Sequence, residues 1–172
     1  MRNLLILILF IASHITYSQS NEPIIQDIEI DSTSATIYYD SGLNKIESED
    51  YNGAIQDFGE AIKLNPKNAD YYFNRAFAKG ALENLIGAIQ DYTVAITLNP
   101  KDDKSYYNRA VSKDILEDYN GAIADYTKAI ELDPSDADAY YNRGISKKSL
   151  EDYNGAIADF TKFIEIDPSD AS

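Results

Sequence analysis

The chain contains no cysteine and no tryptophan, and its single histidine is His14. Without cysteine there are no disulfides, no thiolate metal ligands and no thiol nucleophile. The near absence of histidine removes the side chain that most often acts as a general base near neutral pH. Basic residues are also scarce, because 15 lysines and arginines stand against 29 aspartates and glutamates, giving a net charge of −14. This balance argues against nucleic acid and anionic membranes as partners.

Residues 1–18 have the pattern of a secretory signal peptide. Arg2 supplies a positive charge, Leu4 to Ala12 is an uninterrupted apolar run, and Thr16-Tyr17-Ser18 places small residues before a cut at Gln19. The apolar run is about half as long as a membrane-spanning helix requires. We therefore expect residues 1–18 to be removed, and the protein to be exported to the periplasm or beyond without membrane insertion. Retention of this segment as an anchor is the alternative.

One phrase recurs at a constant interval through the remaining chain. It ends at Pro66, Pro100, Pro134 and Pro168, and its third copy reads YNGAIADYTKAIELDP. Apolar residues recur within it at intervals of three and four, which indicates one buried helix face, and Asn-Pro or Asp-Pro ends the helix. A second helical stretch precedes each phrase. Each unit is therefore predicted to be an antiparallel pair of helices, here called helix A and helix B.

Small and aromatic residues at fixed positions make this unit resemble the tetratricopeptide repeat (TPR). Helix A carries a tyrosine followed four residues later by a small residue: Tyr38/Gly42, Tyr72/Ala76, Tyr106/Ala110 and Tyr140/Gly144. Helix B carries an alanine followed four residues later by an aromatic: Ala54/Phe58, Ala88/Tyr92, Ala122/Tyr126 and Ala156/Phe160. The resemblance covers the units 35–68, 69–102, 103–136 and 137–170. It implies an all-α, right-handed superhelix (solenoid) whose A helices line a concave face.

Two short segments flank the predicted TPR array of residues 35–170. Residues 19–34 are predicted to be an extended lead-in, because they contain Pro23 and the alternating segment IIQDIEI, which suggests a short strand or an arm on the array. The run Ser32-Thr33-Ser34 suggests a helix cap. Residues 171–172 form a tail, and no linker divides the chain into further domains.

The resemblance implies a groove that holds a protein or an extended peptide. Positions matching the family's contact sites form an aromatic row (Tyr39, Phe73, Tyr107, Tyr141), an amide row (Asn74, Asn108 and Asn142, with Asp40 at this position in the first unit) and an apolar row (Leu43, Phe77, Val111, Ile145). An amide both donates and accepts, so the second row could bond a peptide backbone whatever its side chains. The alternative is that these residues only support helix packing. A clamp for a C-terminal carboxylate is not expected, because the groove cations Lys104 and Lys148 lie on separate units.

Three arginines depart from the family pattern at one position of helix A: Arg75, Arg109 and Arg143. Helix B offers an aspartate at one fixed position: Asp57, Asp91, Asp125 and Asp159. The first unit has Ser41 in place of the arginine, so we expect each arginine to pair with the preceding unit, as Asp57–Arg75, Asp91–Arg109 and Asp125–Arg143. Pairing inside one unit is the alternative, and it would leave Asp57 rather than Asp159 without an arginine.

The sequence predicts no enzyme, no cofactor and no metal. Asp133, Asp136 and Asp138 are spaced like ligands of a hard cation, but the glycine turn and closing glutamate of a calcium loop do not follow. Carboxylates at this place are ordinary helix caps. The predicted function is therefore that of a non-catalytic scaffold or interaction module with a protein or peptide partner.

The end of the array carries two conflicting signals. Phe163 stands where earlier units have alanine, and its bulk should hinder a further helix A from docking. Yet residues 168–171 copy the junction 134–137 that opens a new unit. A second hypothesis is therefore a structural protein that forms homo-oligomers through its exposed last helix, or a fragment of a longer TPR array.

Overall fold

The structure is a computed structural model that describes residues 22–168, with side chains from residue 33 onward. The predicted signal peptide, residues 19–21 and the tail lie outside the described residues. The described part forms eight α-helices: α1 (Glu22–Glu47), α2 (Tyr51–Leu64), α3 (Ala69–Ala81), α4 (Leu85–Leu98), α5 (Asp103–Ile115), α6 (Tyr119–Leu132), α7 (Ala137–Ser149) and α8 (Tyr153–Ile166). Odd-numbered helices are the A helices and even-numbered helices the B helices. A search of the described residues finds no helix with the length and apolar character needed to cross a membrane.

Helix α1 starts at Glu22, so the prediction of an extended lead-in is wrong for residues 22–34. Pro23 is the second helical residue, where its missing N–H breaks no intrahelical hydrogen bond and its fixed φ suits the helix. The later part of α1 serves as helix A of the first unit. Its Ala35 is fully buried in a cluster with Ala61 and Tyr71, which belong to α2 and α3.

Each B helix begins with the same cap. The Asp118 side chain accepts a hydrogen bond of 3.0 Å from the backbone N–H of Gly121, which satisfies one free donor of the first turn of α6. A Cβ at Gly121 would collide with that carboxylate. The residue before the cap, Glu117, has a left-handed backbone with φ of 60°. The other units repeat the arrangement with the caps Asp50, Asn84 and Asp152 and the left-handed residues Glu49, Glu83 and Glu151.

The helices stack in an order that makes the array curve. Each A helix packs most extensively on the B helix of its own unit, and each of the first three B helices also contacts the next A helix. Successive A helices touch, whereas no contact joins successive B helices within residues 22–168. The A helices therefore lie on the inner side of the curve. This confirms the predicted all-α solenoid, with the A helices on its inner side.

Small residues and one aromatic ring fill the centre of each unit. In the third unit, Ala110 and Ala122 are fully buried against Tyr126, which is 1% exposed. The ring of Tyr107 packs edge-on against Tyr126 with their centroids 5.7 Å apart. Because the alanines present no bulk, α5 and α6 approach closely and the rings close the remaining space.

Glycine and phenylalanine occur together at this centre. The first and last units have Gly42 and Gly144 at the position of Ala110, and their B helices carry Phe58 and Phe160 at the position of Tyr126. A Cβ at Gly144 would lie 2.7 Å from the nearest atom of the Phe160 ring. In these two units the ring therefore occupies the space that an alanine methyl fills in the middle units.

Candidate functional site

The concave face holds an apolar cavity of about 390 Å³ between α1, α3 and α5. Its apolar lining consists of Leu43, Ile46, Phe73 and Phe77. The amides of Asn74 and Asn108 and the carboxylate of Glu47 complete the wall. Phe77 is 42% exposed, so an aromatic ring lies open to solvent inside a concave surface. The volume falls within the range of roughly 300–1,000 Å³ that is usual for ligand sites.

This cavity brings together five residues that the sequence predicted for the groove: Leu43, Phe73, Asn74, Phe77 and Asn108. Sequence reasoning did not single out Ile46 and Glu47. The available signal was their spacing, because they follow Leu43 by three and four residues and so share its helix face. Both contribute the part of the wall that comes from α1.

The remaining predicted groove residues lie outside this cavity. Tyr39 packs its ring against Tyr71 and Phe58, with centroids 5.0 and 5.8 Å away. Tyr141 is 43% exposed and packs against Phe160 and Phe163 of its own unit. Val111 on α5 and Ile145 on α7 are partly buried. Phe73 also packs edge-on against a ring of its own unit, Tyr92, with centroids 5.6 Å apart, and in addition it lines the cavity.

The amide row is not uniform. Asn74 Nδ2 donates to the Tyr39 hydroxyl at 3.2 Å and to the Asp70 carbonyl at 2.9 Å. Asn142 Nδ2 donates to the Tyr107 hydroxyl at 2.9 Å. The two bonds to tyrosine join neighbouring A helices, so both amides support the packing of units, as the alternative interpretation held.

Asn108 is the exception in the amide row. The preceding unit places Phe73 where the other interfaces have the accepting tyrosine, and phenylalanine has no hydroxyl to accept the corresponding hydrogen bond. Asn108 Nδ2 donates to the Lys104 carbonyl at 2.8 Å, and its Oδ1 has no hydrogen-bond partner within the described part of the chain. Unlike Asn74 and Asn142, Asn108 therefore makes no hydrogen bond to a neighbouring A helix of the described chain, and one N–H and its carbonyl oxygen are unused.

The tyrosines that accept these bonds remain neutral over the physiological range. Burial raises the pKa of Tyr39, and the charge of Asp70 acts in the same direction against the hydrogen bond from Asn74. Burial likewise raises the pKa of Tyr107, aided by Asp138 and Asp136. Neither Tyr–Asn bond should therefore change with pH near neutrality.

A second concave space of about 420 Å³ lies between α5, the turn from α6 to α7, and the end of α8. Five aspartates line it: Asp103, Asp133, Asp136, Asp138 and Asp167. Lys104 and Tyr107 form its wall on α5, and no ion pair joins Lys104 to a described carboxylate. Within residues 22–168 no group of three or more potential ligands is placed to hold a metal ion.

The charges around this second space reinforce one another. Burial raises the pKa of Asp136, and the neighbouring Asp138 and Asp133 raise it further, against the hydrogen bond that Asp136 accepts as the cap of α7. Asp133 accepts two hydrogen bonds from Ser135, at 3.0 Å from the backbone and 2.6 Å from the hydroxyl, which lower the Asp133 pKa. The space therefore carries a negative potential at neutral pH.

The predicted ion pairing between units is wrong. Each arginine binds the aspartate of its own unit through two hydrogen bonds; Arg109 reaches Asp125 at 2.7 and 2.8 Å. Lys113, one turn later on α5, binds the same carboxylate at 2.8 Å. The equivalent pairs are Arg75–Asp91 with Lys79 and Arg143–Asp159 with Lys147. Pairing occurs inside the unit because its antiparallel helices make the closest approach in the stack.

The first unit achieves the same compensation without arginine. Ser41 donates a hydrogen bond of 2.6 Å to Asp57, and Lys45 forms an ion pair with it at 2.7 Å. Burial alone would raise the pKa of Asp57, but the hydrogen bonds from Lys45 and Ser41 outweigh burial and lower it. Ser41 therefore replaces the arginine rather than marking a unit without a predecessor.

Each arginine also has partners beyond its aspartate. Its guanidinium lies over the tyrosine one turn earlier, 5.5 to 5.7 Å from the ring centre in all three units. Arg109 and Arg143 additionally donate to Thr93 and Thr127 of the preceding unit, at 3.0 and 3.1 Å. The bonds to aspartate and threonine join helix A to B helices, so the arginines stabilise the scaffold and are not part of the groove.

Three solved structures illustrate the similarity of this fold to known proteins. The crystal structure of MamA protein matches with 27% identity over 78% of this chain and 74% of that one, with a TM-score of 0.76. YrrB, described as a TPR protein with an unusual peptide-binding site, matches with 27% identity over 83% and 73%, with a TM-score of 0.73. The first TPR of Spaghetti (RPAP3), bound to the HSP90 peptide SRMEEVD, matches with 25% identity over 70% and 95%, with a TM-score of 0.68.

The family itself is shown by sequence. No curated protein matches the chain significantly. A family model described as TPR repeat matches residues 42–83 and 115–148, and a model described as tetratricopeptide repeat matches residues 137–170. These spans together cover more than half of the sequence, and the last of them coincides with the helix pair α7 and α8. The chain therefore belongs to the tetratricopeptide repeat family.

Proposed function

We propose that this protein is a non-catalytic interaction module that holds an extended polypeptide segment along its concave face. The observation that carries the proposal is the apolar cavity between α1, α3 and α5, where Phe77 is exposed and Asn108 has unused hydrogen-bonding groups. A bound peptide needs apolar contact area for a side chain and polar partners for its backbone. The cavity offers both within one surface.

Similarity to other TPR proteins supports this proposal. Proteins built of these repeats generally act as interaction modules, and both YrrB and the RPAP3 domain are described with a peptide. The proposal does not extend to capture of a C-terminal carboxylate. The concave cations Lys104 and Lys148 stand on different units, and the charged residue in the wall of the apolar cavity is Glu47.

Site-specific crosslinking tests the proposal in the source cells. A photoreactive phenylalanine analogue is placed at position 77 in the cavity and, as the control, at position 86 on α4, where Ile86 is 65% exposed on a B helix. We expect a protein adduct from position 77 that is absent from position 86. Equal adducts from both positions, or none from position 77, would contradict the groove as the binding surface.

Self-assembly through α8 is the second candidate function. Ile164 on α8 is 46% exposed, whereas Ile130, its equivalent on α6, is 8% exposed because α7 covers it. Ile157, on the same helix, is 62% exposed. If copies associate here, light scattering should show a mass that rises with concentration, and replacing both isoleucines by serine should abolish the rise. A constant monomer mass would contradict this candidate.

We also propose that the protein is exported after cleavage behind Ser18. The support is the charged, apolar and small-residue pattern of residues 1–18. Mass spectrometry of the protein from its source should find Gln19 at the N-terminus in a fraction released without detergent. A species that keeps Arg2 and stays with the membrane would contradict export and favour an anchor.

A further inference from the structure

The groove has one unit that differs from its neighbours, and the difference creates an opening. The hydroxyls of Tyr39 and Tyr107 each accept a hydrogen bond from the asparagine of the following A helix. Phe73 interrupts the series, and it leaves Asn108 without a hydrogen bond to the preceding A helix, in the wall of the cavity that Phe77 also lines. An apolar wall and an open amide therefore coincide at one place on the concave face. A scaffold role does not explain this coincidence, because both neighbouring interfaces keep their Tyr–Asn bond.

The charge of the surrounding surface limits what can occupy this opening. Glu47 stands in the wall of the apolar cavity, and five aspartates line the second space. The amide row itself begins with the exposed Asp40. The whole chain carries a charge of −14. Acidic segments would be repelled from such a groove, whereas lysine or arginine side chains would be attracted.

The two concave spaces adjoin across a single helix. Asn108 lines the apolar cavity, and its sequence neighbour Tyr107 lines the acidic space, both on α5. A helix with its side chains is about 10–12 Å wide. An extended chain advances about 3.3 Å per residue, so side chains some three or four residues apart reach both sides of α5.

We propose that the partner is an extended, cationic polypeptide segment that inserts a large apolar side chain beside Phe77 and places lysine or arginine side chains in the aspartate-lined space. The Asn108 amide bonds the backbone of this segment between the two anchors. This inference rests on the proposed peptide-binding function and specifies the chemistry of the peptide. The apolar residue provides contact area, and the basic residues offset the mutual repulsion of Asp133, Asp136 and Asp138.

Selection from a random library of twelve-residue peptides displayed on phage tests the chemistry. The full mature chain is immobilised, and binders are counted only if they are lost when Phe77→Ala replaces the wild type. The matched control is Ile86→Ala, which removes an exposed apolar side chain from a B helix. We expect the selected peptides to combine a large aliphatic or aromatic residue with an excess of lysine and arginine three or four residues away.

The decisive variant is Phe73→Tyr, which copies the residue found in the other three units. Its hydroxyl would accept a hydrogen bond from Asn108, as Tyr39 and Tyr107 do from their amides. The affinity of a selected fluorescent peptide, measured by anisotropy, should fall about tenfold, the loss usual for one central contact. The melting temperature should stay the same or rise. Asp138→Asn should also weaken binding, while Glu131→Gln at an exposed position of α6 should not.

The outcomes separate this inference from the proposed function. Peptides that depend on Phe77 but show no basic excess would overturn the inference and leave the peptide-binding function standing. Unchanged affinity in Phe73→Tyr would likewise overturn the assigned role of Asn108. If no selected peptide depends on Phe77, the proposed function fails and the inference fails with it.

Discussion

Nη1 of Arg109 donates a hydrogen bond of 3.0 Å to the hydroxyl of Thr93, which belongs to the preceding unit. The same guanidinium holds Asp125 of its own unit, so one side chain joins three helices. Arg143 repeats the arrangement with Thr127. Between the first and second units, Gly59 stands at the position that corresponds to Thr93, so it offers no hydroxyl to Arg75. The first junction therefore lacks a bond that the other two contain.

Replacing Gly59 by threonine should supply that bond. A Cβ at Gly59 meets only Arg75 Nη1, at an ordinary distance of 3.9 Å. Removing a glycine from a helix gains about 0.5–1 kcal/mol, and a new hydrogen bond adds about 1 kcal/mol. Gly59→Ala is the matched control, because it gains helix stability without a hydroxyl. Chemical denaturation should rank Gly59→Thr at least equal to Gly59→Ala, although threonine is the poorer helix former; a clear deficit would contradict the bond.

The ion pair of the last unit should make stability depend on acid pH. Burial alone would raise the pKa of Asp159, but Arg143 and Lys147 outweigh it and hold that pKa below the ordinary 3.8. A carboxyl whose pKa is lowered by folding stabilises the protein above its unfolded pKa, and the contribution disappears as pH falls through the folded value. Asp159→Asn should therefore cost stability at neutral pH, roughly 2–4 kcal/mol for a broken, largely buried pair. Denaturation midpoints of variant and wild type should converge as the pH falls through the lowered pKa of Asp159.

The position of the arginine and its aspartate could be predicted from sequence, but their partnership could not. Periodicity shows that Arg75 and Asp91 occupy fixed places on helices A and B, without saying which helices face each other. Ser41 was misinterpreted as evidence of a missing predecessor. Its hydroxyl and Lys45 in fact compensate Asp57 within the first unit. Small polar residues can replace a charge through a hydrogen bond, and only coordinates show that replacement.

Gly144 should not tolerate a methyl group. An added Cβ would lie 2.7 Å from the partly buried Phe160 ring, which also packs against Tyr141. Gly144→Ala is expected to destabilise the array by about 1–3 kcal/mol, as overpacking usually does. The control is Gly80→Ala at the end of α3, where a Cβ meets nothing within 4 Å. That variant should gain stability, so thermal melting should move the two variants in opposite directions.

The left-handed glutamates offer a route to stabilisation. Glu117 has a φ of 60°, a backbone conformation that costs a residue with a Cβ roughly 1–2 kcal/mol. Glu117→Gly should therefore raise the unfolding free energy by about 0.5–1 kcal/mol, less than the strain because glycine also loses more chain entropy. Ala124→Gly, at an exposed position in the interior of α6, should lower it by about 1 kcal/mol. Loss of stability in both variants would show that the Glu117 side chain makes a stabilising contribution of its own.

The asparagines of the groove should respond differently to truncation. Asn142→Ala removes a hydrogen bond between α5 and α7 and should cost about 1 kcal/mol of stability. Asn108→Ala removes no bond between helices and should leave the melting temperature nearly unchanged. Peptide affinity should show the reverse order, with the larger loss in Asn108→Ala. Equal stability losses in both variants would contradict the distinction drawn within the amide row.

The concave face could be predicted from the repeat pattern, but the cavity could not. The residues Phe73, Asn74, Phe77 and Asn108 follow directly from the A-helix positions of the family. What separates them from their counterparts is a hydroxyl on the neighbouring unit, a full repeat away along the chain. The prediction of an extended lead-in was wrong for a different reason. Pro23 is tolerated in the first turn of a helix, but it was interpreted as a sign of extended chain. Local sequence does not show which partner a partly buried amide binds.

Phe73 also bears on a problem that any repetitive surface presents. Identical units would offer an extended chain several equivalent places to bind, displaced from one another by one repeat, and the chain could occupy any of them. A single unit that lacks one oxygen atom removes this degeneracy, because Phe73 leaves Asn108 without a tyrosine partner in the wall of the apolar cavity, whereas the two neighbouring interfaces keep their Tyr–Asn bond. The missing hydroxyl at Phe73 would then fix the register of a bound segment, while the rest of the array keeps the sequence that its stacking requires.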